Sequence, residues 1–165
     1  MKITNQAATV LLLLAGLNPP TLAWASGQHA GEHVHEPAVI GKPGVQKQIN
    51  RTVNVEMTDA MRFVPSEVAV QKGETIHFIV RNSGKLRHEF VLGSEKELKE
   101  HAELMKKFPS MQHEESNMVS VEPGQSGNVI WQFTRAGKVP FACLQAGHFD
   151  AGMKGLVTVA AGKAR

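Results

Sequence analysis

The chain has 165 residues, with 18 Lys and Arg against 15 Asp and Glu, eight His and a single Cys. That length is one domain's worth. The charge is weakly basic and carries no long run of one sign, which argues against a nucleic-acid binder.

The first residues pair Met1-Lys2 with an apolar run from Val10 to Leu14, extended by Ala15 and Leu17. Asn18-Pro19-Pro20 then breaks the chain, and Ala23-Trp24-Ala25 precedes Ser26. A basic start, a short apolar stretch and an A-x-A site predict a secretory signal peptide cleaved after Ala25. The apolar run falls short of the roughly 20 residues that span a bilayer. No later segment resembles a span, so a periplasmic protein free of the membrane after cleavage is expected. Cleavage removes only Lys2 from the 18 basic residues, and the mature chain keeps a small positive charge.

Residues 26–50 hold His29, His33 and His35 among Gly and Pro, with no apolar period. This stretch reads as a disordered arm. Its imidazoles could take up copper weakly.

From Thr52 the pattern changes to strands. Thr52, Val53, Val55 and Met57 open a domain expected over 51–165. Phe63-Val64-Pro65 follows a short turn, and Val68 and Val70 alternate before Lys72-Gly73-Glu74. Ile76, Phe78 and Val80 alternate within Thr75–Val80, and Asn82-Ser83-Gly84 turns the chain again. Glu89–Leu92 is a short strand after His88. An insertion at about 94–118 breaks this rhythm. Within it Leu98, Ala102, Leu104, Met105 and Phe108 lie among charges at helical spacing, and Pro109 ends the run. Strand signals return at Val119–Val121, Val129–Phe133, Val139–Phe141 and Leu156–Val159, punctuated by Glu122-Pro123-Gly124 and Arg135-Ala136-Gly137. About seven or eight short strands between turns predict an all-β sandwich with one short helical insertion.

The lone Cys143 is unusual in an exported chain. It could be an accident, an intermolecular disulfide, a nucleophile or a metal ligand. Cys143, His148 and Met153 fall five residues apart in a loop rich in Gly and Ala. Strands leading in and out would fold that loop back so that its donors converge. His88, at the start of a distant strand, is the fourth candidate. His77 sits in mid-strand between Ile76 and Phe78 and is expected to point outward. Two imidazoles, a thiolate and a weak axial thioether describe an electron-transfer copper site. Zinc is the competing ion, but it gains little from a thioether. A Cys143–His148 nucleophile pair is the enzymatic alternative, and it leaves His88 and Met153 without a role. Met105, Met111, His113 and Met118 around the insertion either pack gaps or form a second, weak Cu(I) site.

These residues carry a resemblance. The Cys-x4-His-x4-Met loop before the last strand, with a His about 55 residues upstream, is similar to the plastocyanin/azurin, or cupredoxin, family. Phe63-Val64-Pro65 and the Lys72-Gly73-Glu74 turn resemble the family's early strands. The resemblance covers about Thr52 to Val159. It implies a Greek-key sandwich with one type 1 copper, His88, Cys143 and His148 as in-plane ligands and Met153 as axial ligand. It also implies electron transfer with a redox protein, such as a cytochrome or copper oxidase.

Two positions differ from azurin. Arg87 stands where azurin has Gly, and Glu89 stands where an Asn commonly pins the ligand loop. The insertion and the His-rich arm resemble periplasmic cupredoxins linked to copper tolerance, so a redox-active role in copper handling is favoured over a dedicated carrier. An enzyme is not expected. Ala142 and Leu144 flank Cys143, so the adjacent His that wires copper oxidases is absent, and Gly147 replaces the second Cys of a binuclear centre. Nothing marks an oligomeric interface, and a monomer is expected.

Overall fold

The computed structural model describes residues 41–109, 111 and 114–162. The predicted signal peptide, the arm histidines and His113 lie outside the described residues.

Among the described residues, ten strands form two sheets. The first sheet is ordered β1 (Lys42–Pro43), β8 (Ser126–Gln132), β5 (Thr75–Asn82), β2 (Arg51–Thr58) and β3 (Arg62–Val64). The second is ordered β4 (Glu67–Gln71), β10 (Lys154–Ala160), β9 (Gly137–Ala142), β6 (His88–Leu92) and β7 (Met118–Val121). The pairs β2–β5 and β4–β10 are parallel, and the others are antiparallel. The chain changes sheet between β3 and β4, β4 and β5, β5 and β6, β7 and β8, and β8 and β9. This is the expected sandwich.

Alternation sets the inner faces. Ile76, Phe78 and Val80 of β5 are fully buried, while His77 turns away and meets Asn128 Oδ1 at 2.8 Å. Val55 and Met57 of β2, Val129 and Trp131 of β8, and Val157 and Val159 of β10 complete the core. Five phenylalanines link the sheets across the middle. Phe90 lies 4.9 Å from Phe141 and 5.1 Å from Phe78, and Phe63 lies 5.0 Å from Phe141, centroid to centroid. These separations suit edge and offset ring contacts.

The strand β6 is buried at every position. Its inner face holds His88, Phe90 and Leu92. Its outer face is covered by α1 (Glu95–Lys107), which begins with a capping box formed by Ser94 and Glu97. Leu98, Ala102 and Met105 of α1 pack with Val91, Met118, Ala142 and Leu144. Met105 and Met118 are thus packing residues of one apolar cluster, and Met111 is exposed.

The expected arm ends earlier than residue 50. Lys42 and Pro43 pair with Gln132 and Trp131, Gly44 N–H donates to Ile130 O, and Asn50 Oδ1 accepts the Thr75 N–H at 2.7 Å. A two-residue edge strand containing Pro offers no apolar alternation, so its composition read as an arm. The strands β1 and β3 account for the excess over the expected count.

Candidate metal centre

The site lies at one end of the sandwich, where β6 begins and the loop between β9 and β10 turns. That loop closes as its spacing predicted. Cys143 N–H donates to Met153 O at 3.1 Å, and Met153 N–H donates to His148 O at 3.0 Å. His148 N–H reaches Gln145 O at 2.9 Å. Gly147 (φ 85°) and Gly152 (φ 87°) supply left-handed corners that a side chain would strain. The loop therefore presents its donors to one point rather than along an extended strand.

Cys143 Sγ lies 3.3 Å from His148 Nδ1 and 3.9 Å from His88 Nδ1. The three donor atoms all fall within 4.8 Å of one another. Cys143, His88 and Met153 have no exposed surface, and His148 is half-buried. The structure thus gathers three of the predicted residues around one point. It places Met153 beside them through its backbone bonds to Cys143 and His148. A buried soft thiol facing two imidazole nitrogens, with the buried Met153 in the same loop as Cys143 and His148, fits copper better than a hard cation.

The sequence model of the copper-binding proteins, plastocyanin/azurin family, matches residues 49–160. The chain belongs to that family. A copper-resistant cuproprotein CopI of Rubrivivax gelatinosus is 48% identical over 132 residues, covering 79% of this chain and 80% of the relative. Another, from Vibrio cholerae, is 34% identical over 115 residues, covering 69% and 68%. Among solved structures, auracyanin B superposes with a TM-score of 0.59 at 20% identity, covering 73% of this chain and 96% of that one. Reduced auracyanin from Roseiflexus castenholzii gives 0.58 at 21%, covering 68% and 98%. The structural likeness shows the fold. Copper is the metal of this cupredoxin.

Electrostatics around the cupredoxin site favour the protonated thiol over a bare thiolate when no metal is bound. Burial pushes the Cys143 thiol up to about 12, aided by the Glu89 charge and opposed by backbone N–H groups of Glu89 and Gln145. Burial also lowers the His148 pKa, helped by the neighbouring His88. In metal-free protein at neutral pH, Cys143 therefore carries its proton. Copper uptake must release it. The apparent copper affinity is expected to rise about tenfold per pH unit between about pH 7 and 9, because one proton is displaced per ion. Competition titrations against a chelator of known pH dependence measure the slope. An affinity flat across that range would show that Cys143 is already a thiolate without metal.

Three residues surround the centre of this cupredoxin; the sequence marks Glu89 only as a departure from azurin and gives no sign of the other two. Glu89, on the outer face of β6, is buried, and its backbone N–H points at Cys143 Sγ at 3.3 Å. Its Oε1 accepts from Ser120 Oγ at 2.9 Å and Gln145 Nε2 at 2.7 Å, while Oε2 is buried with no partner among the described residues. Glu89 thus pins the ligand loop to β6 and β7, and Gln145 is its partner on that loop. The third is Asp59, in the β2–β3 turn, whose Oδ1 meets His88 Nε2 at 3.1 Å. The Lys85 N–H donating to Asp59 helps hold its carboxyl below the usual carboxylate range. No short-range motif marks Asp59, since it reaches His88 from the opposite sheet.

The residues flanking His148 divide between solvent and α1. Ala146, Gly147, Ala151 and Gly152 are exposed. Phe149 instead packs on the α1 cluster with Lys154 Nζ 3.7 Å above its ring, and Asp150 pairs with Lys106 of α1 at 2.6 Å.

Proposed function

We propose that this cupredoxin is a periplasmic protein of copper tolerance. In this reading it binds one copper through His88, Cys143, His148 and Met153 and passes single electrons at that site. The observation that carries the ligand assignment is the convergence of the three donor atoms within 4.8 Å in a buried pocket. The tolerance role rests on the likeness to copper-resistant CopI proteins. Copper, when bound, supplies a one-electron Cu(I)/Cu(II) couple. The chain's own contribution is to hold soft and borderline donors in one place, with Cys143 and Met153 buried in the main apolar core. Export rests on the signal pattern of residues 1–25.

The half-exposed edge of His148 among small residues also suits electron exchange with a redox protein, which favours carrier chemistry as a second activity of the same site. No catalytic step is proposed.

The first experiment is a copper titration of the mature protein with visible and paramagnetic resonance spectra, paired with growth of a copper-sensitive host expressing it. An intense thiolate-to-copper band saturating at one equivalent, together with increased tolerance, supports the reading. A colourless protein would refute the ligand set. A coloured protein that leaves tolerance unchanged would leave the carrier.

Met153→Gln is expected to retain copper and lower the reduction potential, because a harder axial donor favours Cu(II). A tenfold change in the Cu(II)-to-Cu(I) affinity ratio corresponds to about 59 mV for one electron, and a shift of at least that size is expected by voltammetry. An unchanged potential would remove Met153 from the axial position.

A further inference from the structure

Among the described residues, the Asp59 carboxylate is the side-chain group that reaches the far nitrogen of His88. Its Oδ1 lies 3.1 Å from His88 Nε2. The same carboxylate accepts the Lys85 N–H at 2.7 Å on Oδ2 and the Leu86 N–H at 3.2 Å on Oδ1. It therefore holds both the imidazole and the turn that delivers it. That turn is otherwise tied to the end of β2 and to its own neighbours. Ser83 N–H donates to Met57 O at 3.0 Å, Gly84 N–H to Asn82 Oδ1 at 2.9 Å, and Asn82 Nδ2 to Leu86 O at 2.7 Å. A Cβ at Gly84 would stand 2.1 Å from Asp59 Oδ1, so the turn lies directly against the carboxylate.

We propose that Asp59 is a positioning residue for the copper centre, holding the His88 imidazole with its proton on Nε2 and its lone pair on Nδ1, toward Cys143. An ionised carboxylate can only accept, so Nε2 must be the donor. The Nδ1 atom is then the ligand, in agreement with its direction toward Cys143 Sγ. A carboxylate behind a ligating histidine fixes the ring and raises its basicity. Its charge beside the centre also favours Cu(II) over Cu(I). This inference rests on His88 being a ligand, as proposed above.

The test compares Asp59→Asn and Asp59→Ala with the parent protein. The first keeps an acceptor oxygen for the turn but removes the charge, and the second removes both. Imidazole nitrogen chemical shifts are read on metal-free protein, at a pH where His88 is neutral. Copper affinities and reduction potential are read on the loaded protein. Asp59→Ala is expected to give a mixture of His88 tautomers and to weaken Cu(II) binding about tenfold or more. Asp59→Asn, which keeps one of the two acceptor oxygens, is expected to lose less melting temperature than Asp59→Ala and to raise the potential, by about 59 mV for each tenfold change in the Cu(II)-to-Cu(I) ratio. A parent-like tautomer and potential in both variants would overturn the proposal, as would a loss of melting temperature alone. If the parent protein takes up copper without a thiolate band, the ligand assignment fails. The tautomer measured without metal still decides whether Asp59 orients His88.

Discussion

Cys143→Ser is expected to abolish the intense visible band and to weaken copper binding by at least about 100-fold, beyond the usual range for changes outside the ligands. The thiolate supplies the charge-transfer transition, and it is the soft donor that stabilises Cu(I). A hydroxyl at that position is hard and does not ionise at neutral pH. The substitution nearly preserves shape, and Glu89 N–H, now directed at Sγ from 3.3 Å, would still find an acceptor. The metal-free variant is therefore expected to keep its fold, so the loss can be read as a loss of ligand. Absorption and competition titration measure it, and circular dichroism confirms the fold. An undiminished band in the folded variant would sink the assignment of Cys143. Under the tolerance reading, the same variant should not protect a copper-sensitive host.

Phe90→Ala is expected to cost about 3–5 kcal/mol of stability and to lower the melting midpoint by roughly 10 °C or more. Phe90 has no exposed surface and sits where the two sheets meet, with ring centroids of Phe141, Phe78 and Phe63 at 4.9, 5.1 and 6.0 Å. Removing it opens a cavity bounded by other rings, which cannot all move inward together. It also lies two residues beyond His88 on the same strand. Copper affinity should fall with stability, since β6 is the rigid support of that ligand. Denaturant melts of metal-free and copper-loaded protein separate the two effects. A loss below about 1 kcal/mol would mean that the surrounding phenylalanines repack and that the aromatic cluster is not a rigid frame.

The sandwich was legible because alternation is a local signal. Ile76, Phe78 and Val80 declare the inner face of β5 without reference to any other strand, and Leu98, Ala102 and Met105 declare the buried stripe of α1 in the same way. The ligand loop was legible because Cys143, His148 and Met153 lie on one short segment whose spacing is part of the chemistry. His88 could be preferred over His77 because its place at a strand start differs from a mid-strand outward position, and His77 is indeed occupied with Asn128. β1 was not legible, since two residues with a proline show no period. The predicted export signal and the arm histidines fall within the first 40 residues, and their reading rests on sequence pattern alone.

Residue type and spacing by themselves determined the strand faces, the capped helix and the group of donor residues, because each depends on neighbours along the chain. Only the tertiary structure decided what surrounds those donors. Asp59 reaches His88 from a turn 29 residues away, and Glu89 reaches Gln145 across 56. Phe149 packs toward α1 because the insertion folds over the outside of β6. Hydrogen bonds and apolar contacts between distant segments follow from how the two sheets stack and which loops meet at their ends. Such contacts leave no periodic trace in the order of the residues.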